Sequence, residues 1–288
     1  MLGSVWGGSF LFVRVAGPAL GPFVTAELRV GIASVALLLY AVAIKHRLSI
    51  LHKWKEFLVI GALNAAIPFV LIATSELNVT ASLASILNAT TPAFTAVVAW
   101  IWIKEALGLK KITGLIIGVI GVVILVGWSP IPLSGKLLLS VGFSLSAALF
   151  YGISGIYVSQ VLKGIKPIDL AIGQQISATL LLLPLALSDF PTEVPSLSVI
   201  GSILGLAILS TAFAYPFYFR LLKNIGPVKT LSVTFLVPIF GTLWGYLFLQ
   251  ESIYVTTYLG MAIIFVGIMF VTNSWPNLSR KQKTDVSQ

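Results

Sequence analysis

Between Leu2 and Val271 the chain runs through one long apolar stretch after another, each parted from the next by a few polar residues. The stretches fall at Leu2–Gly17, Pro22–Ile44, Phe57–Thr74, Val79–Ile103, Ile112–Trp128, Gly135–Leu162, Ile168–Leu187, Leu197–Leu222, Val228–Leu249 and Val255–Val271. A helix needs about 20 apolar residues to cross the hydrocarbon core of a bilayer. These runs are too long for the strands of a membrane barrel and lack period-two alternation. Charged residues make up 9% of the chain, against about 25% in soluble domains. A mean hydropathy of +1.02 leaves too little polar surface to face water. The expected fold is an all-α integral membrane protein of about ten transmembrane helices. With 288 residues, little chain remains for a soluble catalytic unit.

The basic residues orient the chain. With the N-terminus in the cytoplasm and the helices alternating, the cytoplasmic connections hold Lys45, Arg47, Lys53 and Lys55, then Lys104, Lys110 and Lys111, then Lys163 and Lys166, then Arg220, Lys223 and Lys229. Arg280, Lys281 and Lys283 follow in the tail, so 15 of the 18 Lys and Arg fall on one side. Arg14 and Lys136 lie toward the other side and Arg29 within a helix. This is the positive-inside bias, so both termini are expected in the cytoplasm. The net charge of +9 is then a topology signal, whereas a nucleic-acid partner would want its cations on one folded face. The absence of cysteine excludes disulfides, thiol catalysis and thiolate metal sites. His46 and His52 share one basic loop without further ligands, so no metal and no cofactor are expected.

The chain repeats itself. At an offset of 145, Trp6 meets Tyr151, Gly7 meets Gly152 and Pro22 meets Pro167. At an offset of 146, Asn78 meets Asn224, Pro92 meets Pro238, Phe94 meets Phe240, Glu105 meets Glu251, Gly114 meets Gly260 and Gly121 meets Gly267. The expected organisation is a first repeat over 1–130, a second over 131–275 and a polar cytoplasmic tail over 276–288. With about five helices in each, an odd number, the second copy enters the membrane from the opposite side. Inverted-topology repeats are a common plan of secondary transporters, because they give two near-equivalent states open to opposite sides.

Trp6-Gly-Gly-Ser-Phe10 with Arg14, Ala26-Glu-Leu-Arg29, the Ser82–Phe94 segment ending in Lys104-Glu105, and the glycine-spaced helix Gly114–Gly127 together resemble the EamA type of the drug/metabolite transporter superfamily. The second half repeats the pattern more loosely, with Pro238-Ile-Phe240, Gln250-Glu251 and Gly260–Gly267. The resemblance spans nearly the whole chain. It implies a ten-helix fold with cytoplasmic termini, and export or exchange of metabolites of diverse kinds. Members of that family begin several residues earlier, which implies a first helix clipped at Met1; a short, tilted first helix is the alternative.

Polar groups inside a membrane are costly and are expected to face the bundle interior. In the fourth apolar run Ser82, Ser85, Asn88, Pro92 and Thr95 fall within roughly 140° of one helix face. Thr234, Pro238 and Gly241 are their counterparts in the ninth. The paired prolines Pro92 and Pro238 are candidate helix breaks or hinges near a binding region, although Ser, Thr and Gly also serve close helix packing. Trp6, Tyr151, Tyr215, Tyr218 and Trp244 could line a cavity that stacks a planar or apolar substrate, with Asn64, Ser85, Asn88, Gln174, Gln175 and Thr234 as its polar candidates. Arg14, Glu27 and Arg29 form a coupling or ion-pair set: Glu27 could pair with Arg14, or serve as a proton-coupling carboxylate. Gln174 stands where the repeat would place a second Arg29. Trp54, Trp100, Trp102, Trp128 and Trp275 are expected as interfacial anchors.

The function this predicts is secondary transport across the cytoplasmic (inner) membrane. The cargo is a small metabolite, an amino acid or related or drug-like compound, carried by alternating access with the site between the repeats. The partners are the substrate, membrane lipid and either a proton or a counter-substrate, in a monomer or a homodimer. No phosphate loop, carboxylate pair or nucleophile–histidine set marks an enzyme. The alternatives are a membrane-embedded enzyme acting on lipid, and a facilitator or channel without ion coupling.

Overall fold

The computed structural model describes residues 1–128, 133–227, 230 and 232–273. Among these residues there is no strand, and 8 helical spans are long and apolar enough to cross a membrane, joined by a shorter apolar helix at 233–249. The chain is an integral, multi-pass membrane protein. The expected anchor Trp275, the tail with Arg280, Lys281 and Lys283, and Val228 and Lys229 lie outside the described residues.

Helix α1 (Leu2–Ala43, 42 residues) joins the first two apolar runs. At ~1.5 Å per residue it would be about 60 Å long, about twice the ~30 Å of hydrocarbon. The chain breaks it at Gly21, whose φ of 75° and ψ of 163° lie outside the helical region and are open to glycine at little cost. Pro18 and Pro22 flank the break. The third run is α2 (Trp54–Gly61), a π-helical stretch over Ala62–Ala66, and α3 (Ile67–Ser75). The fourth is split into α4 (Ala81–Asn88) and α5 (Thr91–Trp102). Next come α6 (Leu109–Gly127), α7 (Gly135–Val161) and α8 (Pro167–Ser188). The eighth run is α9 (Leu197–Leu204), a π-helical stretch over Gly205–Phe213, and α10 (Ala214–Ile225). A 3₁₀ turn over Ser232–Phe235 leads into α11 (Leu236–Leu249), and α12 (Val255–Thr272) follows.

The single polar face expected along the fourth run is not continuous. The helix is interrupted after Asn88, and Pro92 falls in the first turn of α5, where a proline lacks no bond that the helix could make. Pro238 likewise falls in the first turn of α11, after the 3₁₀ turn.

Small residues at repeat-equivalent positions make equivalent contacts across the molecule. A methyl group on Gly7 would meet Phe240 Cβ at 2.6 Å and Gly241 N at 2.8 Å, while one on Gly152 would meet Thr95 N at 2.9 Å and the Phe94 backbone at 3.2 Å. Gly7 and Gly152 match at the first offset, Phe240 and Phe94 at the second. In the α6–α12 pair, a Cβ on Gly114 would meet Val271 at 2.9 Å and one on Gly260 would meet Leu125 at 2.7 Å, again matched positions. The π-helical stretches Ala62–Ala66 and Gly205–Phe213 also coincide under the offsets. So do two left-handed helix ends, Lys104 (φ 57°) and Gln250 (φ 54°).

Trp54, Trp100, Trp102 and Trp128 are exposed at or near helix ends. At one such end, the loop after α1 docks on α8 through His46, whose Nε2 lies 2.8 Å from the buried Asp169 carboxylate.

Candidate functional site

Where α1, the first π-helical stretch, α3, α4, α5, α7, α10, the 3₁₀ turn and α11 come together, the interior holds a narrow cavity. Trp6 from α1 and Tyr151 from α7, partners in the repeat, both line it. Tyr215 and Tyr218 come from α10, with Trp6 packed edge-on to Tyr218 at 5.5 Å between ring centroids and tilted against Tyr215 at 6.1 Å. The Trp6 indole is held by donating to the Ser210 carbonyl at 3.2 Å, while the Ser210 hydroxyl donates back to the Val5 carbonyl at 3.1 Å.

The polar part of the lining is Asn64, Asn88, Thr91, Thr234, Ser9 and Arg29. Asn64 sits in the first π-helical stretch and is wired into its surroundings. Its Nδ2 donates to Gln174 Oε1 at 2.6 Å, its Oδ1 accepts from Ser154 Oγ at 2.7 Å, and its carbonyl accepts from the Tyr215 hydroxyl at 3.4 Å. A π-turn frees backbone groups that an α-helix would use internally, and such turns gather at functional sites. Asn88, by contrast, ends α4, and its buried Oδ1 has no partner among the described residues. Thr91, just past the break, donates to the Asn88 carbonyl at 2.7 Å.

Arg29 is the one charged residue in the lining among the described residues. It is 5% exposed. Its Nε donates to Thr211 Oγ1 at 2.9 Å and its guanidinium carbon stands 3.6 Å from the Phe69 ring centroid. The Thr211 hydroxyl is itself directed by donation to the Leu206 carbonyl at 2.8 Å, a spacing of five residues that the second π-helical stretch provides.

Trp6, Asn64, Asn88, Tyr151, Tyr215, Tyr218 and Thr234 of the sequence-predicted cavity residues thus meet in one place. Ser85, Gln174 and Trp244 do not line it. Ser85 packs on Gly241, where an added Cβ would lie 2.5 Å from its Oγ, so it serves the α4–α11 contact. Gln174 stands behind Asn64, and Gln175 is fully buried with no partner for its side-chain amide among the described residues. Trp244 faces a separate, apolar lateral cavity with Phe12 and Phe248. The expected Arg14–Glu27 pair is not formed. Arg14 instead donates to the Glu76 carbonyl oxygen, and Glu27 lines a lateral groove with Gly31, Val35 and Ile208. The break at Gly21 separates the two arms of α1 on which Arg14 and Glu27 lie. Ser9, Phe10, Val13, Ile72, Thr91 and Val237 complete the lining and were not singled out from sequence. Thr91 and Ser9 lie one helical turn from Asn88 and Trp6, a signal that would have found them.

Glu76 also escaped notice. It caps α3, is 1% exposed, and both its carboxylate oxygens lack a partner among the described residues. Burial, and then the nearby Glu251 carboxylate, push its pKa well above the ordinary carboxylate range, while Arg14 and Arg29 oppose the shift. Glu251 accepts hydrogen bonds from the backbone N–H groups of Ala81 (2.7 Å) and Ser82 (3.0 Å) and from the Ser82 hydroxyl, so it closes the start of α4. Among the described residues its repeat partner Glu105 pairs with Lys111 at 2.6 Å.

The profile of the EamA-like transporter family matches residues 1–127 and again 138–273. A protein of Archaeoglobus fulgidus described as an uncharacterized transporter is 26% identical over 92% of this chain and 94% of its own. The uncharacterized transporter YoaV of Bacillus subtilis is 25% identical over 93% of each. A solved crystal structure shares the fold, with a TM-score of 0.68 over 95% of this chain and 96% of the other at 13% identity. With a family match over both halves and an apolar helical bundle around one buried polar cavity, this chain belongs to the EamA-like transporter family.

Proposed function

We propose that the protein is a secondary carrier that moves a small metabolite across the cytoplasmic membrane by alternating access, with its site in the cavity bounded by Trp6 and Tyr151. The observation that carries this reading is that repeat-equivalent aromatics from both halves of the chain wall one buried polar cavity. The reciprocal glycine contacts support two inverted repeats of about five helices, with the break at Gly21 dividing α1 into two crossings. The basic loops support cytoplasmic termini.

The asymmetry between Glu251 and Glu105 supports alternation. The backbone ends alike at both: Glu105 N donates to the Ala99 carbonyl at 3.3 Å, and Glu251 N to the equivalent Gly245 carbonyl at 3.1 Å. Among the described residues the side chains differ: Glu251 bonds the start of α4 and Glu105 pairs with Lys111. A carboxylate on the open N–H groups of a helix start is a stabilising contact, so Glu251 latches one end. In this orientation that end is the outer one. In the opposite state Glu251 releases α4. Glu27 faces away from the cavity, which speaks against it as the coupling carboxylate.

The test is flux in liposomes holding the full chain, with pooled labelled metabolites and with or without a pH gradient. Saturable uptake or efflux that falls at least about tenfold in Asn88→Leu is expected, tenfold corresponding to about 1.4 kcal/mol. Turnover of lipid by the purified protein without solute movement would favour a lipid enzyme instead. Flux that never saturates would favour a channel.

A further inference from the structure

We propose that the cavity selects a small organic anion: a carboxylate on a flat, apolar or aromatic body that carries no cationic amine. The inference rests on the carrier reading above and names its cargo class. It starts from Arg29. A guanidinium buried to this degree is normally paired with a carboxylate, and this one is not. The ion pairs among the described residues are His46–Asp169 and Lys111–Glu105. Glu76 lies within electrostatic reach of Arg29 but forms no ion pair with it.

What does hold Arg29 occupies only part of its donor set. Thr211 takes Nε, and Phe69 covers one face of the plane. No hydrogen bond within the described residues uses the terminal Nη groups, and the residue lines the cavity. Thr211 and Phe69 fix the plane of the guanidinium, and a fixed guanidinium presents parallel N–H bonds that match a carboxylate in two-point fashion. Phe69 also packs edge-on to Tyr215 at 6.4 Å, so the Arg29 plane and the aromatic wall are one rigid assembly.

The rest of the lining fixes the remainder of the ligand. Trp6, Tyr151, Tyr215 and Tyr218 offer flat apolar surface for a ring. Asn88 Oδ1, buried and unpartnered, is an acceptor for a hydroxyl or other neutral donor. Among the described residues no Asp or Glu belongs to the lining. A ligand ammonium would therefore enter a site whose charge among these residues is already positive, and zwitterions and amines are disfavoured for the same electrostatic reason that favours a plain anion.

The experiment uses the full chain in liposomes at pH 7, with three matched sets of labelled probes: aryl carboxylates (benzoate, 4-hydroxybenzoate, 4-hydroxyphenylacetate), the amines benzylamine and tyramine, and the zwitterion tyrosine. The same probes are scored for raising the melting temperature of the purified wild-type protein, which requires no variant. The expected result is saturable flux and thermal stabilisation by at least one carboxylate and by neither amine. Arg29→Gln should lower the carboxylate flux at least tenfold, and Arg29→Lys, which keeps the charge but loses the fork, should fall between. Flux of an amine or of tyrosine without flux of any carboxylate would overturn the anion class and leave the carrier intact. So would carboxylate flux unchanged in Arg29→Gln, which would return the guanidinium to a packing role. If no aryl carboxylate moves or stabilises while pooled metabolites do move, the class is wrong. If no pool moves either, the carrier reading fails with it.

Discussion

Asn64 and Asn88 line the same cavity and should respond differently to truncation. Asn64 is bonded to Gln174, Ser154 and Tyr215, so Asn64→Ala strands buried partners. A loss of about 1–3 kcal/mol is expected for each buried group left unsatisfied, visible as a lower melting temperature in detergent. Asn88 Oδ1 has no partner to strand among the described residues, so Asn88→Leu should leave the melting temperature nearly unchanged and act on flux alone. Equal destabilisation by both would mean that Asn88 is structural. Glu76 supplies a pH prediction. Its pKa in the folded protein is raised, by burial and then by Glu251, so the folded state holds this proton more tightly than the unfolded one. The stability that proton confers is complete at low pH and is lost as pH climbs from the ordinary carboxylate range through the raised value. The melting temperature should therefore fall as pH rises above that range, and Glu76→Gln should flatten the fall; an unchanged slope in the variant would show that another group governs it. The facing charges are Glu251, Arg14 and Arg29. Little of this was legible in the sequence. Asn64, Asn88 and the aromatics stood out because polar and amphipathic groups are conspicuous in an apolar chain. Glu76 did not, since it falls between two apolar runs and reads there as an ordinary loop acid. The Arg14–Glu27 pairing failed because proximity along two adjacent helices says nothing about where the break at Gly21 turns the second arm.

Between elements, contacts are set by glycine and by helix ends. Gly121 faces α12 with no room to spare, since a Cβ there would lie 2.7 Å from Ile264 Cγ1 and 2.8 Å from its backbone nitrogen, whereas a Cβ on Gly118 would meet nothing within 4 Å. Gly121→Ala should cost about 1–3 kcal/mol by overpacking. Gly118→Ala should be neutral or gain up to about 1 kcal/mol from helix propensity. Thermal unfolding of the two variants side by side checks the pair, and the reverse order would mean that α6 and α12 do not meet on this face. Glu251→Gln weakens the latch on α4 without emptying the space, and should shift the protein toward the state open at that end. Labelling of an introduced Ser82→Cys by a membrane-impermeant thiol reagent reads this out, with a several-fold faster rate expected in the Glu251→Gln background. The contacts of Gly7 and Gly152 fall at positions related by the sequence offsets. Those offsets do not mark the interruption between Asn88 and Thr91. Periodicity treats an apolar run as one helix, and a proline marks either a kink or a fresh start.

At the scale of the whole molecule, the apolar runs made the membrane bundle legible at once, since lipid allows few ways to satisfy the backbone. The cargo was not legible, because it depends on which side chains converge from distant segments: Arg29 and Asn88 are far apart in sequence, as are Trp6 and Tyr215. The central claim is that solute crosses only as the ends of the bundle open in turn. The chain contains no cysteine, so a pair can be introduced at Ser82 and Gly245, where a Cβ on Gly245 would stand 2.8 Å from the Ser82 oxygen and 2.5 Å from Glu251 Oε2, so that the disulfide displaces the carboxylate and takes its place as the latch. The decisive measurement is solute flux in liposomes by the Ser82→Cys/Gly245→Cys protein, oxidised and then reduced, beside each single variant. Alternating access predicts that flux is abolished when the latch is cross-linked and restored by reductant. Full flux through the cross-linked protein would contradict it.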